Sequence, residues 1–332
     1  MRRPPAVARV LERVTKTARE HEMFREGDLV LVSVSGGPDS VCLLYSLWYL
    51  RRLFKIRLEV FHFDHRLRKD SAKDAEYVRR LAERLKLPFH LRAAESDPDR
   101  RMSPEHWARE VRLRAAARVA RERDARCIAI GHTLDDQAET VLMAVLTGSG
   151  LDAVAGIKPV RGPYVRPLLD VTRADVEGFC RSIHLRPRID AMNRDMRFLR
   201  NALRVRGIPA LERAVGRQLV GPLARTGTIL REDARELATQ AAVTAGELIE
   251  ETPEGVRIPV DPLLVLPKSI ASRVLRAAMA RCWAPPLREH VETLLNLAQG
   301  RPGRKADLGR GLKARREREY VSLSRTSPES RV

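Results

Sequence analysis

Residues 35–40 read Ser-Gly-Gly-Pro-Asp-Ser, between an apolar run, LVLVSV, and a helical pattern, VCLLYSLWYLRRL. Adjacent glycines let the backbone approach an anion closely and adopt positive φ. Successive N–H groups in such a loop form an anion nest, and the helix that follows adds the partial charge of its N-terminus. The hydroxyls of Ser35 and Ser40 can donate to phosphate oxygens, and Pro38 lies with them in the candidate ATP/phosphate-binding loop. Asp39 would repel a phosphate, so it suits a helix cap or a Mg²⁺ ligand. There is no Gly-Lys-Ser/Thr, so this is not a Walker A loop. A bare glycine pair after a strand also describes a tight turn with a capped helix.

A second cluster lies in GHTLDDQAET, residues 131–140. His132 and Asp136 are four apart, Asp135 and Glu139 four, Asp136 and Glu139 three, spacings that make neighbours on a helix. Acidic residues favour a helix N-terminus for electrostatic reasons alone. Facing a phosphate loop, the same cluster can hold Mg²⁺ and position the group being activated; Asp39 and Asp136 are the candidate ligands. His62, His65 and His90 show no paired spacing for a transition-metal site. The four cysteines, Cys42, Cys127, Cys180 and Cys282, form no CxxC, read mostly as buried small hydrophobes, and fit a reducing compartment.

The elements that would position these residues alternate. Strands are expected at 29–34, 57–63, 88–94 and 127–131, and helices at 5–24, 41–53, 71–87, 104–124 and 134–148. Apolar strands joined by helices argue for an α/β fold, a doubly wound parallel sheet covered on both faces. Ligands then collect beyond the carboxyl ends of the strands. Ser35-Gly36-Gly37, Asp64-His65-Arg66 and Gly131-His132 all fall at such ends. The pattern changes after about residue 150, and from 213 the text is mainly helical until a closing strand. Domains are therefore expected at 1–212 and 213–332, the second smaller and mainly helical.

The 332 residues carry 62 lysines and arginines against 43 acids, a formal charge of +19 with a pI near 10.7. Such an excess favours a polyanionic partner, nucleic acid before membrane. No stretch is apolar enough to span a bilayer, and the charged N-terminus lacks a signal-peptide core. The expected location is the cytoplasm.

The string SGGPDS after an apolar strand resembles the PP-loop of the ATP-pyrophosphatase superfamily, whose members release pyrophosphate and adenylate a substrate. The order of SGGPDS (35–40), FHFDHRLRKDSAKDAEYVRRLAERLKLP (61–88), AREVR (108–112), GHTLDDQAETVLMAVLTGSGL (131–151), RPLLDVTRADV (166–176) and RNALRVRGIPAL (200–211) is similar to that of the tRNA(Ile)-lysidine synthetases. The resemblance implies ATP as substrate, Mg²⁺, L-lysine and a tRNA(Ile) with a CAU anticodon. ATP would adenylate the C2 oxygen of the wobble cytidine, and the lysine amine would displace AMP.

Carried over residue by residue, the resemblance assigns Ser35, Gly36, Gly37, Asp39 and Ser40 to the PP-loop. His132, Asp136 and Glu139 fall in the second catalytic motif, with the two acids suited to the lysine ammonium or to Mg²⁺. Arg112 falls near ATP and the reacting base, and Arg200, Asn201 and Arg204 on the side facing tRNA. The second domain would bind tRNA, and a homodimer stays open. Two departures stand out: Ala191-Met192 replaces the usual Pro-Ser, and Thr147 stands where arginine is common. The chain looks like the shorter form of the family. The rivals are a tRNA-thiolating PP-loop enzyme, disfavoured by the missing CxxC, and an inactive basic RNA-binding protein, disfavoured by the intact acidic motif.

Overall fold

The computed structural model describes residues 3–66, 71–94, 104–188, 196, 198–282, 287–309 and 311–325. The Ala191-Met192 departure lies outside the described residues. Two compact units emerge, Met1–Leu230 and Arg231–Val332.

The first unit opens with α1 (Pro5–Glu20), β1 (Leu29–Ser33), α2 (Pro38–Leu50), β2 (Arg57–Asp64), α3 (Ser71–Leu85), β3 (Phe89–Ala93) and α4 (Pro104–Glu122). It continues through β4 (Cys127–Ala129), α5 (Leu134–Leu146), α6 (Leu151–Val154), β5 (Val160–Arg161), β6 (Tyr164–Val165) and α7 (Arg173–Ser182). Then come α8 (Leu199–Ala202), a π-helical turn (Leu203–Gly207), α9 (Ile208–Val215) and α10 (Val220–Leu248).

The sheet runs β3-β2-β1-β4-β6-β5, parallel throughout except for the β5–β6 edge pair. This is the expected α/β sheet. β1 lies at its centre, and Val30, Leu31 and Val32 are fully buried, as a strand covered on both faces requires. One layer packs Val30 and Val32 with α1, α2 and α7 side chains; the other packs Leu31, Phe61 and Ile128 beneath α4. α1 buries Val7, Val10, Leu11, Val14 and Ala18, a 3–4 spacing that forms one apolar stripe.

The two contact units divide at Leu230. The first turns of α10 belong to the first unit because Ala224 is buried and Gly227 lies against α5. A Cβ added at Gly227 would come 2.6 Å from Val141 Cγ2.

The second unit holds the rest of α10, then β7 (Glu250–Thr252), β8 (Gly255–Pro259), α11 (Val260–Val265), α12 (Lys268–Arg281), α13 (Arg288–Gln299), β9 (Lys305–Asp307), β10 (Leu312–Arg316) and β11 (Tyr320–Arg325). It is smaller and rich in helix, but it also contains a five-stranded antiparallel sheet, ordered β7-β8-β11-β10-β9, where the sequence suggested one closing strand. Among the described residues, no helix is long and apolar enough to cross a membrane.

Candidate active site

The phosphate loop leaves β1 at its carboxyl end and turns into α2. Gly36 has φ +94°, a conformation glycine adopts without strain. The Ser40 hydroxyl accepts from the N–H groups of Ser35 and Gly36, both at 3.2 Å, and donates to the Gly37 carbonyl at 2.9 Å. Ser40 is thus buried and holds the loop from beneath, while Ser35 is exposed. The first-turn N–H groups of Asp39 and Ser40 have no intrahelical partner by helix geometry and remain for an anion. Gly131, at the end of β4, closes the other side. A Cβ there would come 3.1 Å from the Asp39 carbonyl carbon and oxygen, so only glycine lets the two backbones meet so closely.

Asp39 Oδ1 is buried and has no hydrogen-bond partner among the described residues. Burial, and then the charge of Asp136, push the Asp39 carboxyl up to about 7. An orphaned, desolvated carboxylate oxygen beside a phosphate nest fits a hard cation, and Mg²⁺ commonly takes one or two carboxylates plus phosphate oxygens and water. Among the described residues no group of three His, Cys, Asp or Glu is arranged to hold a metal without such help.

Asp136 is engaged differently. It completes a capping box on α5, where its Oδ2 accepts from Thr133 N at 2.9 Å and Thr133 Oγ1 at 3.1 Å. Its Oδ1 accepts from Arg204 Nη2 at 3.2 Å, with Arg173 at 3.6 Å and Arg200 at 3.9 Å. Burial pushes Asp136 up, but Arg200, His132 and Arg173 outweigh it and hold the carboxyl below its usual range. Glu139 is 1% exposed. It accepts from Arg204 Nε at 2.6 Å and Nη2 at 2.9 Å, from Arg200 Nε at 3.0 Å and from Arg173 Nη1 at 3.4 Å. Asp135 takes the Arg173 N–H at 2.7 Å.

Arg200 and Arg204, expected on the side facing tRNA, therefore spend their guanidinium groups on this acidic pair. The π-helical turn that follows Ala202 helps both converge, and such turns often mark functional sites. Asn201 lies between them on α8, half-buried.

Sequence reading missed Arg166 and Arg173. Arg166 is 5% exposed; its Nη1 donates to the Lys158 carbonyl at 2.7 Å and its Nε donates to His132 Nδ1 at 3.0 Å. A guanidinium only donates and cannot accept, so His132 Nδ1 must be the unprotonated acceptor and the neutral ring carries its proton on Nε2. Burial holds His132 at about 3; Asp136 pulls it up, while Arg166, Arg109 and Arg200 push it down. His132 is consequently a hydrogen-bond donor at neutral pH, not a base. Nitrogen-15 NMR should find His132 as the neutral Nε2–H tautomer from pH 5 to 8, and Arg166→Met should let the other tautomer appear. Protonation of wild-type His132 between pH 5 and 7 would contradict this.

Arg112 stands half-buried on α4, its pKa lowered by burial and by Arg109. Among the described residues, no hydrogen bond or ion pair ties it to the loop or to α5; the α4 residue whose charge reaches His132 is Arg109. The other histidines are engaged elsewhere: His62 Nδ1 meets the Val34 carbonyl at 2.7 Å, and His90 Nε2 meets Glu59 at 2.7 Å. All four cysteines are buried and free. Burial pushes the thiols of Cys127 and Cys180 up to about 12, so neither supplies a thiolate.

Comparison with known proteins agrees with this geometry. Residues 7–211 match the PP-loop domain family, and residues 258–322 match the TilS substrate binding domain. The chain is 40% identical over 287 residues to the tRNA(Ile)-lysidine synthase of Symbiobacterium thermophilum, covering 82% of this chain and 59% of that one. It is 33% identical to that of Caldanaerobacter subterraneus (90% and 66% covered) and 37% identical to that of Solibacter usitatus (91% and 68% covered). The chain thus spans about half to two thirds of the length of the curated relatives it matches. A solved U34-tRNA thiolase, NcsA from Methanococcus maripaludis, superposes with a TM-score of 0.59 at 18% identity, over 68% of this chain and 79% of that one, a likeness of fold. With both domain models matched in order and close relatives along most of its length, the chain belongs to the tRNA(Ile)-lysidine synthase family of PP-loop proteins.

Proposed function

We propose that this protein is a tRNA(Ile)-lysidine synthetase. The observation that carries the reading is the meeting, at the carboxyl ends of β1 and β4, of a lysine-free phosphate loop with the His132–Asp136–Glu139 helix. The wobble-cytidine C2 oxygen of a CAU-anticodon tRNA(Ile) attacks the α-phosphorus of ATP, and the bond to the β-phosphate oxygen breaks. The loop N–H groups and the N-terminus of α2 receive the departing pyrophosphate. Asp39 would hold Mg²⁺, which would neutralise phosphate charge. The Nε2–H of His132 and the guanidinium of Arg112 are donors suited to the charge that develops on the phosphate.

In the second step the lysine ε-amine attacks C2, the C2–O bond breaks, AMP leaves and the nitrogen loses a proton. The amine must be neutral to attack. The surrounding guanidinium groups of Arg109, Arg166 and Arg173 disfavour its ammonium form, in the way cationic neighbours depress an amine pKa. Glu139 has both oxygens committed to arginine, so Asp136 Oδ1, with one short contact, is the carboxylate oxygen with room for the substrate amine. The protein works in the cytoplasm, where ATP, lysine and tRNA meet.

Labelled lysine, ATP and Mg²⁺ supplied with tRNA(Ile) and tRNA(Met) transcripts, both with CAU anticodons, test the reading. Label should enter tRNA(Ile) alone. Label in neither overturns the activity, and label in both overturns the substrate choice.

A further inference from the structure

Gln137 lies on α5 between Asp136 and Glu139, yet its side chain bonds to neither. It is 2% exposed, and its Oε1 accepts from the Ile157 N–H at 2.6 Å. A backbone N–H can only donate, so the amide oxygen must face Ile157 and the amide nitrogen must point away. That Nε2 is buried with no hydrogen-bond partner among the described residues. A buried unpaired donor costs stability. A methionine would fill the same space without one, so packing alone does not account for a glutamine here.

The amide is wedged between two glycines. A Cβ at Gly156, whose φ is +70°, would come 2.6 Å from both Nε2 and Oε1. A Cβ at Gly227, in the buried first turns of α10, would come 2.9 Å from Nε2. Glycine inside a helix is less stable than alanine, so Gly227 serves the close approach of α10 to α5.

The contacts continue toward the site. Lys158, next after Ile157, gives its carbonyl to Arg166 Nη1 at 2.7 Å, and Arg166 Nε donates to His132 Nδ1 at 3.0 Å. A line of short contacts thus runs from Gly227 through the Gln137 amide, the 156–158 segment and Arg166 to His132. Arg166 fixes the His132 tautomer only while the Lys158 carbonyl holds its guanidinium in place.

We propose that Gln137 is a positioning residue. Braced by Gly227 of α10, it fixes the 156–158 segment and, through Arg166, keeps His132 presenting Nε2–H to the reacting phosphate. The inference deepens the proposed lysidine reading and rests on it for the effect on turnover, while the effect on the His132 ring stands apart from it.

Nitrogen-15 NMR of the full chain at pH 7, without substrates, reads the ring directly. Gln137→Met keeps the volume and removes the acceptor, so the Nδ1–H tautomer of His132 should appear at about a tenth of the population. Adding Gln137→Met to Arg166→Met should change the ring no further, because both act along one line. Gly227→Ala, which presses on the amide from α10, should shift the ring in the same direction. Val10→Ala on α1 should lose stability and leave His132 as in wild type, which separates positioning from general loosening. Lysine incorporation by Gln137→Met should fall about tenfold, with KM for ATP and tRNA within about twofold of wild type. A pure Nε2–H ring in Gln137→Met would overturn the proposal, and so would the same shift in Val10→Ala. An unmoved ring in Gly227→Ala would overturn the part given to α10. If wild type incorporates no lysine while the ring responds as expected, the activity reading fails and the positioning stands.

Discussion

Asp39→Asn is expected to stop AMP release while making the first unit more stable at neutral pH. The carboxyl has a folded-state value of about 7 against an ordinary 3.8. Between those limits the folded protein holds a proton that the unfolded chain has lost. Ionising Asp39 inside the fold therefore costs stability as pH rises from about 4 through about 7. The cost is on the order of a few kcal/mol at pH 8. Asparagine keeps the shape and removes the charge, so its melting temperature should exceed wild type at pH 8, with the gap closing toward pH 4. The orphaned Oδ1 loses its affinity for a cation, and AMP formation should fall about a thousandfold, as when a principal electrostatic stabiliser is removed. Affinity for tRNA should stay within about twofold. A variant no more stable than wild type at pH 8 would show that Asp39 is not strained, and an active one would remove it from the chemistry.

The phosphate loop and the acidic helix were legible in the sequence because each is contiguous, and because local chemistry sets the position of its residues. A strand followed by two glycines and a capped helix has few other folds available, and Asp135, Asp136 and Glu139 share a helix whatever surrounds them. Their counter-charges were not legible. Arg166 and Arg173 reach the site from the segment after β6, through the pairing of β6 with β4, which no spacing rule announces. One signal was available: three carboxylates at a buried helix start require cations, and the quoted stretch RPLLDVTRADV supplies two.

The sheet of the second unit was missed for a physical reason. β10 reads Leu-Lys-Ala-Arg-Arg, and its inward positions are Leu312, Ala314 and Arg316. Arg316 faces the core because its Nε donates to the Ala298 carbonyl at 3.1 Å and its Nη1 to the Arg318 carbonyl at 2.8 Å. A charged residue in an inward place hides the alternation, and the three residues of β9 are too few to show one. The expectation of a second, smaller domain survived because the composition changes along the chain.

Glu139→Gln should be the most destabilising single substitution in the site. Glu139 is the common acceptor of Arg173, Arg200 and Arg204, whose side chains are 22%, 18% and 25% exposed. A buried ion pair contributes little net stability when intact, because desolvation offsets the attraction, but removing one partner strands the other. Here three guanidinium groups would be left with Asp136 as their only shared carboxylate. The expected loss is about 3–5 kcal/mol, which for a unit of this size lowers its melting temperature by roughly ten degrees. Denaturant unfolding of wild type and variant measures it directly. Arg204→Met introduced into Glu139→Gln should recover part of the loss, because it removes the most closely held surplus charge. The same Arg204→Met in wild type should destabilise, and that reversal of sign is the mark of a coupled pair. If Glu139→Gln unfolds at the wild-type midpoint, the arginines are held by something other than Glu139. The acidic motif would then be free for substrate in the way the sequence first suggested.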